Sequence, residues 1–188
     1  MKFFKKNSII GFVIGFVLSP LILAGGFYIF SKAQMSNIVK ASFPPPEIPN
    51  NQKATFDWNV KNLDGNEFRL KDALSNQVVF LNFWATWCPP CLIEMPSMEK
   101  LYQHFGGRVL FVCISDEEIE TLKKFIKTKE YTFPIYAIKD KPPKVFNSDG
   151  IPATFIISKN KNIVLKHVGG ADWAHENVID FIEKLLIE

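Results

Sequence analysis

Apolar and polar residues alternate from residue 53 onward, and the period of the alternation changes from segment to segment. Residues 55–61 alternate with a period of two, turn-forming residues occupy 62–66, and a short run follows at 67–70, which predicts a β-hairpin. Residues 78–84 are almost wholly apolar or aromatic, as in a central strand that is buried on both faces. The domain is therefore predicted to begin with a hairpin and a buried strand.

Three later segments place apolar residues three and four positions apart, which predicts amphipathic helices at residues 89–105, 116–130 and 172–186. Asp116 and Asp172 are the predicted N-caps of the second and third helix. Compact apolar runs predict strands at residues 109–114, 152–158 and 163–168. No element is predicted for residues 133–150. The order after the hairpin, βαβαββα, predicts an α/β domain with a central mixed sheet and helices on both faces.

A long uncharged segment precedes this domain. Residues 7–31 are mostly apolar and carry no charge, and a segment of this length can cross a hydrocarbon core about 30 Å thick. We expect an uncleaved transmembrane signal-anchor helix at residues 8–31. A cleaved signal peptide is the alternative, but its apolar core is usually only about 7–15 residues long and Ser31-Lys32-Ala33 is a poor cleavage site.

The segments on either side of the predicted anchor indicate its orientation. Residues 1–7 carry Lys2, Lys5 and Lys6, so the positive-inside rule keeps them cytoplasmic and sends the domain across the membrane. Residues 32–52 contain consecutive prolines, which favour extended polyproline II and predict a semi-rigid linker. Residues 53–188 form the domain. We expect it on the extracytoplasmic, periplasmic side of the cytoplasmic membrane, tethered to the lipid bilayer.

Composition and charge exclude one class of partner. The chain has 188 residues, of which 47% are hydrophobic and 22% charged, as expected for one globular domain with an added segment. From Lys53 onward there are 17 basic and 18 acidic residues, so the net charge of +3 comes from the N-terminal end. This balance gives no reason to expect a basic face on the domain, and no nucleic-acid partner is predicted.

Cys88 and Cys91 form a CxxC pair where the predicted strand 78–84 leads into the predicted helix 89–105. Such a pair serves either redox chemistry or metal binding. Structural zinc needs about four ligands, whereas this chain has no second CxxC pair and its three histidines are scattered at 104, 167 and 175. The redox interpretation is favoured, with no metal and no cofactor other than the redox-active disulfide itself.

The junction of strand and helix gives the two cysteines different chemistry. Unpaired backbone N–H groups and the helix dipole favour the thiolate form of Cys88, and Pro89 suits the first helical position. Cys91 follows one turn later on the same side of the helix. Cys88 is therefore predicted to attack a substrate disulfide, and Cys91 to resolve the mixed disulfide that forms.

Residues 82–91, Asn-Phe-Trp-Ala-Thr-Trp-Cys-Pro-Pro-Cys, followed by Glu94-Met95-Pro96, resemble the TlpA/ResA branch of the thioredoxin family. The resemblance covers about residues 55–186 and implies a thioredoxin fold with an N-terminal hairpin extension. It also implies a membrane-anchored thiol–disulfide oxidoreductase. Asn82 follows this branch, because thioredoxin itself has a buried Asp there. For Glu94 the resemblance implies tuning of a pKa or substrate recognition; a solvated helix charge is the alternative.

The same resemblance implies a substrate-binding surface around the cysteines. Ile151-Pro152 matches the cis-proline loop of the family, which faces the cysteine pair and guides the substrate chain; a simple sheet boundary is the alternative. The implied substrate contacts are Trp87, Pro89, Pro90, Ile151 and Pro152. Trp84 is expected in the core.

Three further features favour structural interpretations. Cys113 lies in an apolar run, where a free cysteine behaves as a small hydrophobic residue. Trp173 either borders the substrate groove or belongs to an ordinary helix start. The acidic run at residues 116–118 is interpreted as a helix N-terminus that complements the helix dipole.

The leading functional hypothesis is a reductant that draws electrons from a membrane thiol–disulfide donor and passes them to disulfides in exported proteins. The family resemblance suggests apocytochrome c as one substrate, and thus a role in cytochrome c maturation. The fold does not set the direction of electron flow, so a disulfide oxidase of DsbA type is the first alternative. A non-catalytic thioredoxin-like module for binding or metal delivery is the second; it would need an extra His or Met against the pair, and none is evident by spacing.

Overall fold

The computed structural model of this chain describes residues 52–73 and 76–188. The predicted segments 1–7 and 8–31, and the linker 32–52 except for its last residue, lie outside this part of the chain. No helix among the described residues is long and apolar enough to cross a membrane. The anchor therefore remains a prediction from the sequence.

The strands of the described domain are β1 (Asn59–Asn62), β2 (Glu67–Arg69), β3 (Val78–Phe83), β4 (Val109–Ser115), β5 (Ile135–Ile138), β6 (Ala153–Ile157) and β7 (Ile163–Val168). The helices are α1 (Leu70–Ala73), α2 (Pro89–Phe105), α3 (Ile119–Lys127) and α4 (Glu176–Ile187), with a 3₁₀ turn at Lys144–Phe146.

All seven strands join one mixed sheet in the order β2-β1-β5-β4-β3-β6-β7. The pairs β3/β4 and β4/β5 are parallel, whereas β3/β6, β6/β7, β1/β2 and β1/β5 are antiparallel. The predicted mixed sheet and N-terminal hairpin are confirmed. Strand β5 was not predicted, and it is the strand that joins the hairpin to the rest of the sheet.

Helical segments cover both faces of the sheet, but unequally. Val78 and Phe80 of β3 point to the face where α2, α3 and α4 bury Met98, Leu122 and Ile182, respectively. The alternate residues of β3 point to the opposite face. That face is covered by α1, the 3₁₀ turn and residues 54–58. The long helices therefore share one side, and the cysteine-bearing helix α2 packs there against the central strands.

Two predicted helix starts are wrong by a few residues. Helix α3 has Glu118, not Asp116, at its N-cap position, with extended backbone and no side-chain capping bond, while the carboxylate of the preceding Glu117 binds Thr86. Helix α4 begins after His175, whose ring nitrogen accepts from the backbone N–H of Asn177. Asp172 instead accepts from the backbone N–H of Ala174 in the turn before the helix.

Candidate active site

Cys88 and Cys91 lie where the sequence places them, at the junction of β3 and α2, with Cys91 in the first turn of the helix. Cys88 is the N-cap residue of α2 and Pro89 opens the helix. The two sulfurs form a disulfide with an S–S distance of 2.04 Å and a Cα–Cα distance of 5.3 Å. The backbone N–H of Cys91 also points at the Cys88 sulfur, 3.3 Å away. The first helical turn therefore brings the two sulfurs within bonding distance.

The loop before β6 faces this disulfide. The Ile151–Pro152 peptide bond is cis, as the family resemblance implies, and the carbonyl oxygen of Ile151 lies 3.7 Å from the sulfur of Cys88. This proximity follows from the sheet, because β6 pairs with β3 and Ala153 stands opposite Phe83. Cys88 thus has a backbone acceptor beside it, in the loop that leads into β6.

The other residues implied as substrate contacts differ in exposure. Trp87 is 67% exposed, which is unusual for a tryptophan in a folded domain. Pro89 is exposed, while Pro90 and Ile151 are half-buried and Pro152 is buried. Trp84, expected in the core, is 2% exposed. Trp87, Pro89, Pro90 and Ile151 therefore present surface around the disulfide to an approaching chain.

Glu94 is not a solvated helix charge, because its residue is only 1% exposed. One carboxylate oxygen accepts from the side-chain amide of Asn82 at 3.0 Å. The other accepts from the indole N–H of Trp173 at 2.8 Å and from the backbone N–H of Ala171 at 3.1 Å. The amide of Asn82 donates also to the hydroxyl of Thr154 at 2.8 Å. A carboxyl group is therefore fixed inside the protein, one helical turn after Cys91.

Burial sets the ionisation of this carboxyl group. Desolvation raises the pKa of Glu94 from 4.5 to about 7, although the hydrogen bonds from Trp173, Asn82 and Ala171 act in the opposite direction. Such a group changes its charge in the neutral pH range. Glu94 therefore brings a titratable proton to the buried side of the cysteine helix.

Sequence reasoning missed three partners of this site. Trp173 is fully buried and its indole N–H donates a hydrogen bond to the Glu94 carboxylate. It therefore positions Glu94 and does not border a substrate groove. Thr154 contacts Asn82 from β6. Glu117 accepts from the backbone N–H and the hydroxyl of Thr86, both at 2.6 Å. The apolar pattern of α2 did contain one sign that Glu94 is buried, because Glu94 lies on the same face of the helix as the apolar residues.

Cys113 is buried in the core, as predicted from the apolar run that contains it. It is a free, buried cysteine on β4, directly beside Asn82 of β3. Burial first, and then the nearby Glu94 and Glu99 carboxylates, raise the pKa of its thiol well above the usual value. Its thiol therefore stays protonated and packs in the core.

The three histidines lie apart from the cysteine pair. His104 contacts Glu183, His167 packs edge-on against Trp173, and His175 caps α4. Within the described residues no group of three or more His, Cys, Asp or Glu side chains could hold a metal ion.

Comparisons with known proteins agree with this geometry. Residues 51–166 match the model of the AhpC/TSA family. A thiol-disulfide oxidoreductase ResA of Bacillus cereus is 32% identical over 186 residues, covering 96% of this chain and 98% of the relative. The ResA of Halalkalibacterium halodurans is 36% identical over 130 residues, covering 66% of this chain and 70% of the relative.

A solved structure shows the same fold. The crystal structure of a putative thiol:disulfide interchange protein DsbE from Chlorobium tepidum superposes with a TM-score of 0.63 at 25% identity. The match covers 74% of this chain and 99% of that one. The described domain therefore corresponds to a whole thioredoxin-like domain.

Proposed function

Because this chain belongs to the AhpC/TSA family and to the ResA-like thiol–disulfide oxidoreductases, we propose that it reduces disulfides in exported proteins while tethered to a membrane. The enzyme class rests on the relatives and on the CxxC spacing. The single observation that carries the proposed mechanism is the Cys88–Cys91 disulfide at the start of α2, beside the carbonyl of Ile151.

Cys88 is the proposed nucleophile because of its position. Its sulfur sits at the N-terminus of α2, where the backbone N–H of Cys91 points at it and the helix dipole favours negative charge. Cys91 lies within the helix, on its buried inner face, whereas Cys88 caps the N-terminus of the helix; both cysteines are buried. This asymmetry supports attack by Cys88 and resolution by Cys91.

The proposed reaction begins with the reduced enzyme. The Cys88 thiolate attacks one sulfur of a substrate disulfide, the substrate S–S bond breaks, and the released substrate thiolate takes up a proton. Cys91, after losing its proton, attacks the Cys88 sulfur of the mixed disulfide and releases the second substrate thiolate, which is protonated in turn. The substrate gains two electrons and two protons, and the enzyme is left as the Cys88–Cys91 disulfide. A membrane dithiol donor then returns the two electrons.

Glu94 is proposed to tune this cycle. It shares the buried face of α2 with Cys91, and a carboxylate there opposes formation of a second negative charge nearby. Protonated Glu94 removes that repulsion. The ionisation of Glu94 near neutral pH is therefore expected to be coupled to the ionisation of the cysteine pair.

The direction of electron flow is tested by the reduction potential of the Cys88–Cys91 pair. A reduction potential of about −270 mV, as in thioredoxin, supports the proposed reductant, whereas a potential of about −120 mV, as in DsbA, would identify an oxidase. The measurement is an equilibrium titration of the purified domain against a dithiol/disulfide buffer.

The proposed tether rests on the uncharged segment 8–31 and its basic N-terminal flank. The full-length chain should remain with membranes after alkaline carbonate extraction, with its domain open to protease only from the extracytoplasmic side. A mature protein that has lost residues 1–31 would instead identify a cleaved signal peptide. Apocytochrome c is the proposed substrate by family resemblance, and reduction of its oxidised haem-binding cysteines by the domain is the corresponding assay.

A further inference from the structure

An open cavity of about 440 Å³ lies beside the disulfide. Its wall is formed by the carboxyl ends of β3, β4 and β5, by residues 141–142 and by residues 146–151. Ligand pockets in proteins usually measure roughly 300–1,000 Å³, so this cavity has the size of a binding site. None of the residues that hold Glu94 lines it, so it is separate from the buried carboxyl site.

The floor of the cavity is aromatic and rigidly supported. Phe83, Trp84 and Phe146 line it. Phe146 packs against Phe83 and Phe155, with ring centroids 6.4 and 5.3 Å apart, respectively, and Trp84 packs against Phe125 at 5.4 Å. Aromatic rings prefer edge-to-face or offset contacts with other rings. The floor therefore suits a large apolar side chain, above all an aromatic one.

The cavity is continuous with the reacting atoms through two residues. Trp87 and Ile151 both line it. Trp87 directly precedes Cys88, and the carbonyl oxygen of Ile151 lies 3.7 Å from the Cys88 sulfur. A polypeptide whose cysteine is bonded to Cys88 therefore lies next to these two residues. The side chains near that cysteine then lie at the mouth of the cavity.

From this continuity we infer that the cavity is a specificity pocket for an aromatic side chain placed within a few residues of the cysteine that Cys88 attacks. The inference rests on the proposed function and adds a substrate class to it: disulfide-bonded polypeptide segments that carry an aromatic residue beside their cysteine. The rim supports a peptide occupant, since Asp116, Lys141 and Asp149 offer charged groups of both signs. Within residues 52–73 and 76–188 these three side chains make no hydrogen bond or ion pair with one another.

The test compares two peptides of equal length, each bearing one cysteine joined by a disulfide to a small thiol. One peptide has Phe two residues before and two residues after the cysteine, and the other has Ala at both positions. The wild-type domain should reduce the Phe peptide with a kcat/KM at least about tenfold higher. Reduction of glutathione disulfide by the same preparation is measured alongside, because it reports the redox chemistry without the pocket.

A filling variant checks that the preference arises in this cavity. A Cβ added at Gly150, which lines the cavity, would meet no heavy atom within 4 Å, so Gly150→Leu adds bulk there without an immediate clash. The ratio of kcat/KM values for the Phe and Ala peptides should fall towards one in Gly150→Leu. Asn160→Leu, in the exposed turn between β6 and β7, is the matched control and should keep the wild-type ratio.

The outcomes separate the two proposals. Reduction of glutathione disulfide together with equal rates on both peptides would overturn the pocket and leave the proposed function standing. A preference that persists in Gly150→Leu would likewise overturn the pocket. Failure of the wild-type protein to reduce any of the three disulfides would overturn the proposed function, and the pocket with it.

Discussion

At the scale of single residues, the site is organised by one buried carboxyl group. Glu94 lies on the cysteine helix and is held by Asn82 from β3 and by Ala171 and Trp173 from the segment after β7. Three donors from two separate parts of the chain therefore fix the position of its two oxygens. Because hydrogen bonds to the charged form and desolvation act in opposite directions, its pKa is set by the balance between them.

The raised pKa of Glu94 makes stability depend on pH. The folded protein holds the proton up to about pH 7, whereas the carboxyl of an unfolded chain loses it near 4.5. The stabilising contribution of the neutral group is therefore fully present below about pH 4.5 and is lost as the pH rises through about 7. In Glu94→Gln this dependence disappears. The unfolding free energy of the variant, relative to the wild type, should rise by up to about 3 kcal/mol across that window.

Denaturant unfolding of the oxidised proteins at several pH values checks this prediction. Glu130→Gln, at an exposed carboxylate after α3, serves as the control and should show a constant difference from the wild type. If the difference in unfolding free energy between Glu94→Gln and the wild type did not change with pH, the raised pKa of Glu94 would be contradicted.

Trp173 is predicted to lower the pKa of Glu94 through its indole N–H. Trp173→Phe keeps an aromatic ring but removes this donor, so the pKa of Glu94 should rise further above 7. Carboxyl ¹³C shifts of labelled glutamate, followed against pH, report the change. Trp58→Phe is the matched control, because the indole nitrogen of Trp58 is buried and has no hydrogen-bond partner among the described residues. An unchanged Glu94 titration in Trp173→Phe would show that this bond does not act on the pKa.

The sequence located Cys88 and Cys91 at the junction of a strand and a helix, because their spacing and flanking elements define them locally, and it pointed to Pro152 only through the family resemblance. It did not identify the environment of Glu94. The three donors to its carboxylate come from residues 12, 77 and 79 positions away along the chain. Such contacts depend on how the sheet and the helices pack, and a local pattern cannot show them.

At the scale of elements, the loop between β3 and α2 is held by a neighbouring loop. The Glu117 carboxylate binds the backbone N–H and the hydroxyl of Thr86, and one of its oxygens also accepts from the hydroxyl of Ser115 at 3.1 Å. Glu117 follows β4, which lies beside β3 in the sheet. The loop that leads into Cys88 is thereby fixed from the adjacent strand.

Glu117→Ala should loosen this loop. The N–H of Thr86 would lose its acceptor, and an unsatisfied, partly buried donor costs about 1–3 kcal/mol. Hydrogen exchange at the Thr86 amide should accelerate, and turnover of a model disulfide should fall several-fold. Glu118→Ala removes the next carboxylate, which makes no capping hydrogen bond, and should leave the exchange rate of the Thr86 amide unchanged. Equal rates of hydrogen exchange at the Thr86 amide in both variants would contradict the proposed role of Glu117 in holding this loop.

Elements whose ends carry a clear stop signal were predicted accurately, whereas helix α3, despite its apolar stripe, is three residues shorter at each end than predicted. Helix α2 and strand β7 have the predicted bounds, since their apolar patterns end at a glycine in each case. Strand β5 has only four residues and is followed by a lysine- and proline-rich stretch, so its pattern was too short to stand out. Its pairing with β1 and β4 reflects the topology of the whole sheet.

At the scale of the whole molecule, the sheet explains why the distant parts of the site meet. Strand β3 lies between β4 and β6, so the loops after β3 and β4 and the loop before β6 come together around Cys88. The long helices share one face, which leaves residues 141–142 and 146–151 on the other side free to line the cavity beside the disulfide. The order of elements was predictable from the sequence, but this unequal distribution of helices was not.

The central claim, that Cys88 attacks a substrate disulfide and Cys91 resolves the product, is tested most directly by trapping the mixed disulfide. Each single variant, Cys88→Ser and Cys91→Ser, is reduced, mixed with a disulfide-bonded peptide and mapped by mass spectrometry. Cys91→Ser should accumulate a peptide adduct at Cys88, Cys88→Ser should form no adduct in the same time, and neither should turn over. Catalytic turnover by both variants, or an adduct that forms faster at Cys91 than at Cys88, would contradict the account.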